Sequence, residues 1–213
     1  MKKIVLIGLI LAVAVLASGC ASYTVQSMPS QLDENKVVKA EKEDISVTAF
    51  PILTEEDSKR YFDKNLIGKN ILAVYFVIVN YDKKNVQFIS SDLVLGGGKI
   101  INPYPQKEVY KTIRREYGGK AFLWMFPTWF VGAPVSVVHT ASVNTKIEED
   151  INKKHLNFGE IKPREFAQGF LWFKLPDDAA LEERGDRKLA LKMIFKKDDK
   201  LIEHNLSIKH DKK

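Results

Sequence analysis

Cysteine is nearly missing from this chain of 213 residues: Cys20 is the only one. A single thiol closes no intrachain disulfide, so the fold stands on apolar burial alone, and a hydrophobic content of 45% supplies the material. Charge of one sign is also scarce. Lysine and arginine number 33 against 27 aspartates and glutamates, and the two signs alternate along most of the sequence. The exception is the basic cluster from Lys209 to Lys213, which reads as a solvated tail. The opening apolar run, Ile4 to Ala17, covers 14 residues, short of the roughly 20 that a membrane-spanning helix requires.

What that run does fit is a secretory signal. Lys2 and Lys3 form the charged start, Ile4 to Ala17 the apolar centre, and Ala17, Ser18 and Gly19 the small residues before a cleavage point. The stretch Leu16-Ala17-Ser18-Gly19-Cys20 resembles the lipobox of bacterial lipoproteins. The resemblance implies cleavage between Gly19 and Cys20, a diacylglyceryl group (palmitate or a similar chain) on the Cys20 thiol, and acylation of the new amino group. Two or three acyl chains give stable membrane anchoring where one is marginal. Ala21 and Ser22, rather than aspartate, follow the cysteine, and by the same resemblance this implies a cell outer membrane, with the body in the periplasm. An exported, lipid-held protein has no expected contact with nucleic acid.

Removal of residues 1–19 leaves 194, with 31 basic against 27 acidic residues and a net charge of +4. That length suits one domain with a tether or a large insertion. Residues 20–43 are polar, mixed in charge and without periodicity, and read as a flexible tether. Fully extended, it would reach up to roughly 80 Å from the bilayer. The body is expected over 44–210.

The body is expected to be mainly β. Ile45, Val47 and Ala49 alternate with polar neighbours in the period of a half-buried strand. Ile71 to Val79 is continuously apolar and rich in β-branched and aromatic residues, which predicts a central strand covered on both faces. Val86 and Phe88, then Leu93 and Leu95, continue the alternation. Phe166 to Leu175 is the next strand, Leu189, Leu191, Met193 and Phe195 share a face of another, and Ile202, Leu206 and Ile208 one face of the last. Asp178 to Glu183 reads as one helical turn. About seven short strands with turns between them predict an immunoglobulin-like antiparallel β-sandwich, without that fold's cysteine pair.

The layout also resembles a loose group of uncharacterised bacterial lipoproteins. In that group a strand ending in asparagine, here Val77-Ile78-Val79-Asn80, is followed later by a proline-led turn and a strand. Here these are Ile161-Lys162-Pro163-Arg164-Glu165 and Gly169-Phe170-Leu171-Trp172-Phe173. The group commonly has glycine after the proline, where this chain has Arg164. The resemblance brings no activity with it.

Residues 103–158 interrupt the strands and are too long for a structureless loop, so they are expected to be a helical hydrophobic insertion. Val109, Ile113 and Tyr117 have near-helical spacing on one flank, and Ile147, Ile151 and Leu156 on the other. From Ala121 to Thr145 there is no Asp, Glu, Lys or Arg. Burying the large apolar side chains there is worth on the order of 15–30 kcal/mol, so they are not expected to stay in water. Packing against protein, dipping into a lipid leaflet, and a single crossing are the three destinations. Phe122, Trp124, Phe126, Trp129 and Phe130 are the candidate membrane or partner contacts, the tryptophans suiting an interface. A single crossing would leave strands of one sheet on opposite sides of the bilayer.

Chemistry is hard to find in the remainder. Gly96-Gly97-Gly98-Lys99 fails as a phosphate loop, because Leu93 stands where the first glycine belongs and Ile100 follows the lysine. His139, His155, His204 and His210 lack the spacing of metal ligands and read as a polar residue in the insert, a helix-end residue and two exposed residues. Paired carboxylates sit in polar turns, and no serine occupies a nucleophile elbow. The expectation is a non-enzymatic, lipid-anchored envelope protein with no cofactor, metal or small-molecule substrate, attached to the membrane through Cys20 and binding or scaffolding a protein partner. The alternative is a membrane-active or assembly factor whose insertion enters lipid or self-associates.

Overall fold

The computed structural model describes residues 23–29, 32–115, 132–177 and 189–208, with backbone alone over 132–140. The chain divides into two compact units, residues 1–24 with 114–149 and residues 25–113 with 150–213. Described elements in chain order are β1 (Val38–Lys42), β2 (Ile45–Ile52), helix α1 (Glu55–Phe62), β3 (Ile71–Asn80), β4 (Val86–Leu95), β5 (Ile100–Ile101), helices α2 (Gln106–Ile113) and α3 (Gly132–Lys154), β6 (Gly159–Ile161), β7 (Phe166–Lys174), β8 (Leu189–Lys197) and β9 (Lys200–Ile208). The fold is mainly β and sandwich-like, as expected at that level. One antiparallel sheet runs β1-β2-β3-β7, the other β5-β4-β8-β9, with β6 also paired to β4.

Period-two burial builds the sandwich interior. Ile45 and Val47 of β2, Leu72, Val74, Phe76 and Ile78 of β3, and Leu171 and Phe173 of β7 meet Leu189, Leu191, Met193 and Phe195 of β8 and Ile202, Leu206 and Ile208 of β9. Strand β3 is buried on its outer face too at Ala73 and Tyr75, as its apolar run predicted, whereas Val77 and Val79 on the same face are half-buried. In β4 the buried parity switches from Val86 and Phe88 to Leu93 and Leu95. A bulge produces the switch: Phe88 pairs with Phe195 and Ser90 with Ile194, leaving Ile89 as the extra residue. The glycine run after β4 is a strand-end turn, with Gly97 and Gly98 at φ of 98° and 83°.

Three expectations are corrected. His204 is not exposed: it shares the inward face with Ile202, Leu206 and Ile208 and is 2% accessible. Helix α1 went unexpected because its apolar residues are confined to the last turn, Tyr61 and Phe62. Its start is set by Thr54, whose hydroxyl accepts from the Asp57 N–H at 3.1 Å and donates to the Asp57 carboxylate at 2.8 Å. The tether over 20–43 is also shorter than its composition suggested. Val38–Lys42 is a strand paired in full with β2. Ahead of it, Lys36 Nζ bonds the Asp57 carboxylate at 3.0 Å, and the Gln26 N–H donates to the Arg60 carbonyl at 2.9 Å.

The helical flanks of the insertion are present as α2 and α3, with Pro134 in the first turn of α3, where a missing N–H costs nothing. Val143, Ile147 and Ile151 of α3 are buried at four-residue spacing. Leu156 lies beyond the end of α3 rather than on it. Tyr117 and the turn expected at Asp178 to Glu183 lie outside the described residues. Among the described residues, no helix is long and apolar enough to cross a membrane.

Asn80 and the turn after Pro163 form one structure. The buried Asn80 amide donates to the carbonyls of Lys84, Ile161 and Lys162 at 2.8, 3.0 and 3.1 Å, and its oxygen accepts from the Asp82 N–H at 3.0 Å. The Glu165 N–H closes the turn on the Lys162 carbonyl at 3.1 Å, with Arg164 at φ 60°. Proline followed by positive φ is type II turn geometry, in which glycine is favoured at the second position. Arg164→Gly is therefore expected to stabilise the domain by about 1 kcal/mol, whereas Asn80→Ala, which strands the buried Ile161 carbonyl and removes the bonds to those of Lys84 and Lys162, is expected to cost about 2–4 kcal/mol. Urea denaturation of both variants checks the opposite signs.

Candidate functional site

The residues singled out for membrane or partner contact, Phe122, Trp124, Phe126, Trp129 and Phe130, lie outside the described residues, as do Gly19 and Cys20. What is described is the place where the insertion 103–158 departs from the strands and returns to them. Both ends are bound to the outer edge of β7. The Tyr104 N–H donates to the Trp172 carbonyl at 2.6 Å, and the Leu156 N–H to the Phe170 carbonyl at 3.0 Å. His155 bridges Phe170 in parallel sense. Sheet edges left open invite association, and this stretch of β7 is closed by the chain's own insertion.

The close approach needs Gly169. A Cβ there would lie 2.6 Å from the Leu156 nitrogen and 2.7 Å from the His155 carbonyl carbon, at a φ of 156°. Packed on the outer face of the sheet is an aromatic layer. Phe170 meets Phe62 edge-on at 5.1 Å and Tyr75 at 5.2 Å, and Phe62 lies 6.2 Å from Trp172. The His155 ring lies flat against Trp172 at 5.7 Å and 5°.

Lys154 enters this layer with its side chain 2% accessible. Its ammonium donates to the Tyr61 carbonyl at 2.6 Å and to the Asp150 carboxylate at 2.7 Å, and sits 5.7 Å from the Phe62 ring centroid. Burial pushes its pKa down and the Asp150 carboxylate opposes the shift. So placed, Lys154 joins the end of α3 to the end of α1. The sequence held no sign of it, because a lysine in the last turn of a helix ordinarily faces water and complements the helix dipole.

Of the histidines, His155 directly follows the end of α3, as expected, and lies at the β7 edge. His204 lies on the inward face of β9. The other two are outside what is described in side-chain detail. Among the described residues, no group of three or more His, Cys, Asp or Glu is placed to hold a metal. A cleft of about 280 Å³ lies elsewhere, over the outer face near β1, lined by Leu32, Glu34, Val37, Lys39, Thr48 and Val77.

His204 has neither ring nitrogen hydrogen-bonded, and its ring meets Phe195 edge-on at 5.2 Å. Burial lowers its pKa, Lys42 adds to the effect and Glu43 opposes it; burial lowers that of His155 as well. A folded-state pKa below the ordinary value near 6.5 means that the unfolded chain takes up protons first as pH falls. The stability tied to neutral histidine is complete above about pH 6.5 and is lost below it, until the folded-state pKa is reached. His204→Leu is therefore expected to flatten the fall in stability between pH 7 and pH 5, measured by urea unfolding at both values; an unchanged slope would contradict the burial argument. A scan of protein-family models and a comparison with curated proteins return no match, so function is read from the chain's own residues.

Proposed function

We propose that this is a lipid-anchored cell-envelope protein that binds or scaffolds a protein partner at the membrane without catalysing a reaction. The observation that carries the reading is Leu16-Ala17-Ser18-Gly19-Cys20 standing directly behind a charged start and a short apolar run. Acylated Cys20 is the membrane attachment, and the outer membrane facing the periplasm is the compartment that Ala21 and Ser22 favour.

The body is read as an immunoglobulin-like sandwich. The order β2-β3-β7 in one sheet corresponds to strands A-B-E of that fold, and β4-β8-β9 to C-F-G. Strand β5 then stands beside the C strand as C′, and the insertion lies between C′ and E, where a D strand belongs. On this reading the insertion 103–158 has both its ends, at Tyr104 and Leu156, bonded to one strand, β7. A chain that leaves and returns at the same edge supports packing against protein and speaks against a single crossing. A non-enzymatic role is supported by the engagement of Lys154 and His155 in packing. The second reading, entry into a leaflet or self-association, rests on the charge-free stretch from Ala121 to Thr145.

Two measurements test these readings. Cys20→Ser is expected to abolish palmitate incorporation and to release the protein from the membrane fraction; unchanged processing and fractionation would defeat the anchor. The chain from Ala21 onward is expected to stay at the bottom of a flotation gradient with liposomes, and its flotation would favour the leaflet reading.

A further inference from the structure

The leash between the anchor and the body is short. The Gln26 N–H is bonded to the Arg60 carbonyl at the end of α1, and ten residues later Lys36 is bonded to Asp57 on the same helix. Burial opposes ionisation of Asp57, but the hydrogen bonds from Lys36 and Thr54 outweigh it and hold its carboxyl below the ordinary value. Between these attachments Met28, Pro29 and Leu32 are half-buried. The described residues of this segment, 26–29 and 32–36, are thus attached to α1 at both ends.

We propose that the α1 side of the sandwich rests against the lipid surface that holds the acylated Cys20. The proposal rests on the anchor reading. Six peptide steps separate Cys20 from Gln26, and fully extended they reach roughly 20 Å. A compact unit of about 150 residues, the size of the larger unit, is roughly 40 Å across, so the leash is too short to let that unit tumble freely above the bilayer. The residues at the attachment meet the lipid first: Lys59 and Arg60, both exposed at the end of α1. The outer face of the second sheet lies behind two sheet layers about 10 Å apart and a helix layer about as thick, and faces away. It carries Glu203 and Asn205, exposed on β9. Charge on α1 is internally balanced, Lys59 with Glu55 at 2.5 Å and Arg60 with Glu56 at 3.2 Å. The contact therefore comes from the leash and not from attraction to anionic headgroups.

The test uses the full lipidated chain added to preformed phosphatidylcholine vesicles that carry a headgroup-labelled acceptor lipid. Lys59→Cys and Asn205→Cys each supply one labelling thiol, because the thiol of Cys20 is held by its lipid. Energy transfer to the acceptor is expected to be several-fold stronger from position 59 than from 205. A Gly/Ser spacer of about 20 residues between Ser22 and Tyr23, whose random-coil span is roughly 25 Å, is expected to remove most of the difference. Palmitate incorporation is measured in the same preparations. Palmitate present with equal transfer from both positions overturns the short-leash placement and leaves the anchor standing. Absence of palmitate overturns the anchor, and the placement with it.

Discussion

Burial of β3 on both faces is the constraint from which the larger unit follows. Its inward residues, Leu72, Val74, Phe76 and Ile78, need a second sheet, and β8 and β9 supply it. Its outward residues, Ala73 and Tyr75, need a lid, and β7 beside it adds Phe170 and Trp172 to the same outer surface. An aromatic layer of this size does not stay in water. The chain covers it with Tyr61 and Phe62 from α1 and with the segment where α3 ends, and that is why a polar helix and the foot of a long insertion lie against one sheet.

The polar groups drawn in by this packing are held to different standards. Lys154 is nearly inaccessible yet fully engaged, its ammonium shared between a carbonyl and a carboxylate. Breaking such a pair by removing one partner leaves a buried charge uncompensated, so its value lies in specifying how α1 and α3 meet. Asn80 joins two turns in the same way, with three donated bonds and one accepted. His204 is the contrast: buried as deeply, it has no hydrogen bond at either nitrogen. Such groups ordinarily find partners, and burial pushes the pKa of this one down.

Function, on the reading proposed, is divided along the chain. In that proposal the amino-terminal cysteine sets the location, the sandwich provides the body, and the insertion, whose ends at Tyr104 and Leu156 are bonded to β7, contains the charge-free stretch from Ala121 to Thr145. The segment before β1 is more than a spacer, because Gln26 and Lys36 are bonded to Arg60 and Asp57 of α1, and in that proposal these bonds turn an acyl attachment into an orientation. Permanent anchoring and restricted rotation together suit a protein that presents one surface to a partner in the plane of the membrane.

Strand identity was legible where it depended on local periodicity. The run from Ile71 to Val79 and the alternations in β8 and β9 predicted their burial, since a residue's face in a strand follows from its parity alone. The absence of disulfides and the lipobox resemblance were likewise matters of the sequence by itself. Parity also implied that His204 faced inward, but a histidine's chemistry argued for water and the apolar neighbours decided. The bulge at Ile89, the lid made by α1, and the bonds from Gln26 and Lys36 were settled only by tertiary structure. Each depends on a partner distant in the chain, Phe195 for the bulge and Arg60 for the leash, and no local pattern records which distant group will be there.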